Sequence, residues 1–199
     1  KYAGKILMFD NSRDAFGIAE YLLGYSVNST DSAELQACAD KLAEQKPVVQ
    51  QYVMDQIFDA MENEEAWIAP YYAGDYLTMV EENPDLAFYR PTTQGYNMFI
   101  DAMCIPKGCQ NQELAECFIN FMLSREAAVA NAEYIYYASP NQLVYDDPEY
   151  IDDMGEDTMA ILYPDIGSFR DAYNRSAYRN LDQDTLTFVN SLWETLKIN

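Results

Sequence analysis

Short apolar runs alternate with helix-forming segments along the chain, and this alternation is the strongest constraint on its fold. The run Ile6 to Phe9 has the pattern of a short buried strand, which a polar group ends at once. A helix is predicted next, with apolar residues three and four positions apart and Gly24 as its stop. A second helix is predicted from Asp31, whose side chain can cap it while Glu34 completes a capping box. Strands that alternate with helices predict an α/β protein.

The rest of the chain continues this alternation. Short strands are predicted in three further places, at residues 66–70, 87–90 and 97–106. Further helices are predicted at residues 56–63 and 75–82, behind an Asn111 cap, from Ser124, and near the C-terminus. The helix behind Asn111 aligns its apolar residues on one face: Leu114, Cys117, Phe118, Phe121 and Met122. Residues 146–157 are strongly acidic, and because their spacing does not match an EF-hand loop, we interpret them as a solvated linker.

Charge and composition exclude several classes of function. The formal net charge is −21, spread along the sequence, which repels phosphates and argues against nucleic acid binding. The chain contains no histidine, so Ser-His-Asp and Cys-His enzymes are excluded. The four cysteines lack CxxC spacing, so a zinc site is not expected, and we predict neither a metal nor a cofactor. Cys38 and Cys117 lie on apolar helical stripes and are predicted to be buried thiols, whereas a Cys104–Cys109 disulfide stays open.

The beginning of the chain is abrupt. Residues Lys1 to Lys5 lead directly into the first strand, with no signal peptide. No run of 18 apolar residues occurs, so no membrane span is predicted. We therefore expect the chain to be a piece of a longer protein, whose missing N-terminus could carry a targeting signal.

The segment 97–106 places an aromatic ring and a carboxylate two residues apart. On a strand, Phe99 and Asp101 would share one face. A ring and a carboxylate together suit an organic cation, because an ammonium group gains about 0.5–2 kcal/mol over an aromatic face and a charge-assisted hydrogen bond from the acid. The alternative is an edge-strand aspartate that points to solvent, and the segment alone leaves both interpretations open.

Five segments in order carry a resemblance to a known family. They are residues 2–16, 23–31, 99–106 followed by 113–123, 139–141 and 162–165. With these segments the chain resembles the C-terminal half of a solute-binding protein of ABC transporters, of the spermidine/putrescine-binding type. The resemblance implies a type II periplasmic-binding-protein-like fold, in which two α/β sandwich lobes clamp a polyamine. It also implies no enzyme activity, an ABC transporter permease as partner, and a periplasmic or extracellular, membrane-tethered location.

The resemblance further implies how the chain is divided between lobes. Residues 1–96 and 142–199 would build the C-terminal lobe. Residues 97–141 would cross over to complete the N-terminal lobe, the rest of which is absent from this sequence. Either this crossover segment packs on its own lobe, or a second copy of the chain supplies the missing surface in a homodimer.

The resemblance also assigns ligand-binding residues by position. Asp101 matches the carboxylate that holds an amine of the ligand, and Phe99 matches an aromatic wall. Tyr72 falls where the family places another aromatic wall, although Tyr71, one position away, stays open as an alternative.

Three more positions are matched, and two of them depart from the family. Asp10 matches a family acid, Asn11 lies where some members have a second binding aspartate, and Arg179 lies where some have glutamine. The departures at Asn11 and Arg179 remove one anion and add one cation. They argue against a long polyamine and leave room for a shorter diamine or another small organic cation.

Two other classes of function are weighed against solute binding. A glycosidase using Asp10 and Asp101 would need two facing acids with one raised pKa, and the sequence offers no such pair. The second alternative is a non-catalytic module, which would dock on a permease without binding solute. Family relatives that carry iron, sulfate or sugars are the nearest rivals among binding proteins.

Overall fold

The computed structural model describes residues 1–198, which form two compact units. The first unit contains residues 1–71, 82–99 and the chain from Ile166 on, and the second contains residues 72–81 and 100–165. The regular elements in chain order are β1 (Ile6–Phe9), α1 (Ser12–Leu23), α2 (Ser32–Gln45), β2 (Val49–Val53), α3 (Ile57–Glu62), α4 (Ala73–Glu82), α5 (Gln112–Met122), α6 (Arg125–Ile135), α7 (Gln142–Tyr145), α8 (Pro148–Leu162), α9 (Phe169–Ser176) and α10 (Gln183–Ile198).

The strands β1 and β2 pair in parallel, with α1 and α2 as the crossover between them. The predicted strand at residues 66–70 is reduced to an isolated bridge between Ile68 and Ile6, and the Leu7 N–H donates to the Ile68 carbonyl at 2.8 Å. The strand β2 was not predicted, because its adjacent glutamines Gln50 and Gln51 hide the apolar pattern.

The ends of α1 and α2 follow from local sequence. Gly24 ends α1 in the left-handed conformation at φ 76°, as predicted. Asp31 caps α2 by accepting hydrogen bonds from the Ala33 N–H at 2.7 Å and the Glu34 N–H at 3.3 Å, also as predicted. The capping box is wrong, because the Glu34 carboxylate accepts a hydrogen bond from the Ser29 hydroxyl instead.

The core of the first unit joins α1 and α2 to α10. Its large members include Phe16, Leu35 and Trp193, and the Trp193 ring meets Tyr52 edge-on at 5.4 Å between centroids. Cys38 is buried in this core, as predicted. Burial of these side chains is the main force that holds α1 next to β1.

The second unit has a smaller core, formed by Ala128, Ala132, Val144 and Tyr150. The helix α5 forms as predicted, but no residue of α5 is buried. Leu114, Phe118 and Phe121 of its apolar face are exposed. The predicted burial of Cys117 is therefore wrong, because its thiol is exposed.

The acidic run at residues 146–157 is not a linker. Most of it lies in α8, which Asp147 caps by accepting hydrogen bonds from the Glu149 N–H at 3.0 Å and the Tyr150 N–H at 3.2 Å. Tyr150 and Leu162 are buried, so apolar packing outweighs the many exposed acids. The helix bends at Gly155, which has φ 74°.

Two predicted strands are absent, and one helix that was not predicted is present. Residues 87–90 and 99–106 have no regular structure, because no neighbouring strand pairs with them in the described chain. The helix α9 was not predicted. Among residues 1–198, none of the helices combines the length and apolar character that crossing a bilayer demands.

Candidate functional site

Asp10 and Asn11 lie at the carboxyl end of β1, where ligands of open α/β sheets bind. Asp10 forms an ion pair with Lys197 of α10. The Asn11 side-chain oxygen caps α1, accepting hydrogen bonds from the Arg13 N–H at 2.9 Å and the Asp14 N–H at 3.4 Å. Asp10 and Asn11 thus lie at one edge of the first unit, which we call the polar edge. Each of them already makes a contact within the protein.

Arg179 reaches the same edge through Asn28. The Arg179 backbone N–H donates to Asn28 Oδ1 at 2.6 Å, and the Arg179 guanidinium donates to Asn174 Oδ1 at 3.2 Å. The Arg13 guanidinium donates to Asn28 Oδ1 at 3.3 Å and to the Arg179 carbonyl at 3.4 Å. The structure therefore brings Asn11 and Arg179 together, through Arg13 and Asn28, as the sequence could not show.

Tyr178 lies beside this polar network. The Arg13 guanidinium lies over the Tyr178 ring at 4.7 Å from its centroid, a cation–π contact. Burial, and next the carboxylate of Asp14, raise the pKa of Tyr178. The Tyr178 hydroxyl approaches Gly17 so closely that a Cβ there would lie 2.3 Å from it. The edge thus already holds one cation of the protein against an aromatic ring.

Sequence reasoning missed Asp14, Asn28 and Tyr178 as members of this edge. Asp14 is buried although it is charged, and Asn28 joins segments more than 140 residues apart. The one local signal was Gly17, a glycine inside a helix, which indicates a close neighbour. The neighbour itself follows only from the fold.

Tyr71 and Tyr72 fall in different units. Tyr71 belongs to the first unit, where its ring stacks on Phe9 at 5.7 Å and meets Phe58 edge-on at 6.2 Å. Its hydroxyl donates to Asp55 at 3.4 Å. Tyr72 is the first residue of the second unit. Tyr71 therefore lies at the carboxyl end of β1, while the assignment of Tyr72 stays a prediction.

Phe99 and Asp101 lie on exposed chain without regular structure, so the predicted strand is wrong here. Phe99 ends a segment of the first unit and Asp101 lies in the second, and Phe99 is 43% exposed. The last ordered pairing before them joins Met98 to Ala177, with the Met98 N–H donating to the Ser176 carbonyl at 2.9 Å. Because there is no strand here, Phe99 and Asp101 do not share a strand face, and the argument from spacing does not hold. Their assignment by resemblance stays a prediction.

Cysteine and acid groups give no metal centre in the described part of the chain. All four cysteines are free thiols, so the Cys104–Cys109 disulfide is not formed. Within residues 1–198, no three histidine, cysteine, aspartate or glutamate side chains are grouped so that they could hold a metal ion.

Comparison with known proteins identifies the class. Residues 1–160 match the family of bacterial extracellular solute-binding proteins, and the chain belongs to this family. It is 29% identical over 141 residues to the spermidine/putrescine-binding periplasmic protein of Escherichia coli K12, covering 71% of this chain and 40% of that protein. It is 27% identical over 205 residues to the putrescine/cadaverine-binding protein of Pseudomonas aeruginosa PAO1, covering 100% of this chain and 55% of that protein.

Solved structures agree with these relatives. The spermidine/putrescine substrate-binding protein PotD of Streptococcus pneumoniae superposes with a TM-score of 0.80 at 31% identity, covering 99% of this chain and 58% of that one. The PotD lipoprotein of Treponema pallidum shares the fold with a TM-score of 0.79 at 21% identity, covering 100% of this chain and 59% of that one. The resemblance and the predicted α/β binding-protein fold are confirmed. The relatives are transport proteins and not enzymes, and the chain spans about half of their length.

Proposed function

We propose that the chain is part of the extracytoplasmic solute-binding component of an ABC importer, and that this component binds a polyamine such as putrescine or spermidine. The observation that carries the proposal is the match of the whole chain to a putrescine/cadaverine-binding protein. The periplasmic relatives and the lipoprotein neighbour support a periplasmic or extracellular, membrane-tethered location. An ABC transporter permease is then the protein partner.

The proposed recognition rests on Asp101, because an amine that leaves water must be paired to avoid a large desolvation cost. The Asp101 carboxylate would accept a charge-assisted hydrogen bond from the amine, and the Phe99 ring would add a weaker cation–π contact. Tyr72 would provide a second aromatic wall. Both Phe99 and Asp101 are exposed, so neither must leave a protein core to meet a ligand.

The polar edge of the first unit supports a short ligand. The Asp10 charge is compensated by Lys197, and the Asn11 oxygen is engaged at the start of α1. The Arg179 guanidinium adds positive charge at this edge. A ligand with few amines therefore suits these residues better than a long polyamine, and other small organic cations belong to the same chemistry.

The exposed face of α5 supports the proposal that further protein completes the second unit. Three large apolar side chains of this helix, Leu114, Phe118 and Phe121, face solvent in the described chain. The relatives are about twice as long as this chain, so we propose that the rest of a longer polypeptide covers the face. The first unit then belongs to the C-terminal lobe. The crossover over residues 97–141 stays a prediction, and the packing of α7 and α8 on α6 favours a longer crossover segment within this proposal.

Calorimetric titration tests the binding proposal. Putrescine and spermidine are titrated into this chain and into the longer protein that contains it, each with Asp101→Ala, Phe99→Ala and Asp157→Ala. Asp157 is an exposed acid of α8 and serves as the matched control. We expect Asp101→Ala to weaken binding by at least about tenfold, more than Phe99→Ala, because a charged hydrogen bond contributes about 1.5–3 kcal/mol.

The outcomes separate the alternatives. Equal affinities for Asp101→Ala and the unchanged protein would contradict the assignment of the anchor. No binding of either polyamine by the longer protein, together with binding of isolated permease loops, would favour a docking module. Sedimentation of the chain alone tests whether a second copy supplies the missing surface. A stable dimer that also binds polyamine in the titration would show that a homodimer completes the unit.

A further inference from the structure

Glu20 is a buried carboxyl group between α1 and α2 of the first unit. The residue is 1% exposed, and neither of its carboxyl oxygens has a hydrogen-bond partner among the described residues. A charged carboxylate in such a place loses its hydration without compensation, which disfavours the charged form. A protonated carboxyl group has no net charge to desolvate. The surroundings of Glu20 therefore favour the protonated form.

The charged and titratable neighbours lie on both helices. On α1, Arg13 attracts the Glu20 charge, but its guanidinium already bonds to Asn28 and lies on the Tyr178 ring. On α2, the Glu34 carboxylate repels the Glu20 charge.

Cys38 and Tyr21 are the other titratable neighbours. Burial first, and then the charges of Glu20 and Glu34, raise the pKa of the buried Cys38 thiol to about 12. Burial also raises the pKa of Tyr21, with a smaller contribution from Glu20. Both groups are thus neutral near pH 7, and neither supplies a positive charge to Glu20.

These contacts move the titration of Glu20 into the neutral range. Burial, only partly offset by Arg13 and reinforced by Glu34, raises the pKa of Glu20 from 4.5 to about 7. The unfolded chain keeps the ordinary value, so folding takes up a proton between these two pH values. The favourable contribution of the neutral carboxyl is complete below pH 4.5, declines as the pH rises, and is lost above about pH 7.

We propose that Glu20 is a proton-binding site that makes the α1–α2 interface pH-sensitive, tight when the buried carboxyl is protonated and loosened when it ionises. The helix α1 carries Asn11 at its cap and Arg13 in its first turn. Ionisation of Glu20 therefore acts on the helix that holds the polar edge of the first unit together. Nothing in the proposed ligand contacts requires this group.

Unfolding by urea at pH 5, 6, 7 and 8 tests the proposal on the intact chain, on Glu20→Gln, and on Glu194→Gln. Glu194 is an exposed acid on α10 of the same unit and is the matched control. We expect the ratio of the folding constants of Glu20→Gln and the unchanged chain to rise about tenfold or more from pH 5 to pH 8. The ratio for Glu194→Gln should stay constant. A constant ratio for Glu20→Gln would overturn the proposal.

A direct titration covers the case in which Glu20→Gln fails to fold. The carboxyl carbon of Glu20 is followed by NMR in the unchanged chain labelled at glutamate. A midpoint above about pH 6 supports the proton site, because an exposed glutamate titrates near pH 4.3. A midpoint near that ordinary value overturns it.

Discussion

The helices α2 and α5 are both amphipathic, yet only one of them is buried. Leu35, Cys38 and Leu42 of α2 pack into the core of the first unit, whereas no residue of α5 is buried. The sequence of α5 is no less patterned than that of α2. The difference shows that periodicity predicts which face of a helix is apolar, but not whether anything in the same chain covers that face.

The largest difference in stability is expected when leucine is replaced by alanine in each of these two helices. Leu35 is 1% exposed and Leu114 is 69% exposed. We expect Leu35→Ala to lower the free energy of unfolding by about 2–5 kcal/mol, because it removes buried contacts and leaves a cavity. Leu114→Ala should change it by about 0.5 kcal/mol or less. Urea unfolding followed by circular dichroism measures both, and equal losses would show that α5 is covered in solution.

A second comparison uses two glycines. A Cβ at Gly17 would lie 2.3 Å from the Tyr178 hydroxyl, whereas a Cβ at Gly108 would meet nothing within 4 Å. We expect Gly17→Ala to destabilise the first unit by about 1–3 kcal/mol through overpacking. Gly108→Ala should leave thermal unfolding unchanged.

The double variant Gly17→Ala with Tyr178→Phe checks the cause. Removing the hydroxyl relieves the shortest contact, so Gly17→Ala should cost less stability in the Tyr178→Phe background than in the unchanged chain. Equal costs in the two backgrounds, measured by thermal unfolding, would show that the close approach is not what makes Gly17 necessary.

The two units should also differ in their response to pH. In the second unit, burial of Asp147 is outweighed by hydrogen bonds from the Tyr150 N–H and from Arg125, which hold the pKa of Asp147 below its usual range. This contribution is present above the ordinary aspartate pKa and is lost as the pH falls through the lowered value. We expect acid to weaken the start of α8, whereas the Glu20 site weakens α1 as the pH rises.

Hydrogen exchange at pH 2 and pH 6, with rates corrected for intrinsic pH dependence, measures the change in α8, because the acidic condition must lie below the lowered pKa of Asp147. Asp147→Asn should lower protection of residues 148–152 at pH 6 and show a smaller change on acidification. The exposed neighbour Asp152→Asn serves as the control. If Asp147→Asn and Asp152→Asn change the protection of α8 equally, Asp147 is not the cause of its pH dependence.

Local signals in the sequence predicted a large part of the first unit. Gly24 and Asp31 mark helix ends by backbone and capping chemistry, which acts within a few residues. The acidic run was misread because exposed acids outnumber buried Tyr150 and Leu162, although those two side chains decide the packing. A strand at 99–106 needs a neighbouring strand, which residues 1–198 do not provide.

The candidate site was predictable only in part. The positions of Asp10 and Asn11 at the edge of the sheet could be predicted, because both residues directly follow a strand in the sequence and ligands of open α/β sheets bind beyond strand ends. The contacts of Arg179 with Asn28, and of Arg13 with Tyr178, join residues that the sequence separates widely. Such neighbours come from tertiary packing, so no local pattern identifies them.

Asn28 gives this edge a polarity that an isosteric acid cannot reproduce. Its amide nitrogen donates to the Ala177 carbonyl at 2.8 Å, while its oxygen accepts from the Arg179 N–H and the Arg13 guanidinium. An aspartate would keep the acceptor and lose the donor. The connection between α1 and α2 therefore holds a segment that is distant in sequence, and a loop of equal length without this amide would lose the contacts with Ala177 and Arg179 that Asn28 makes at once.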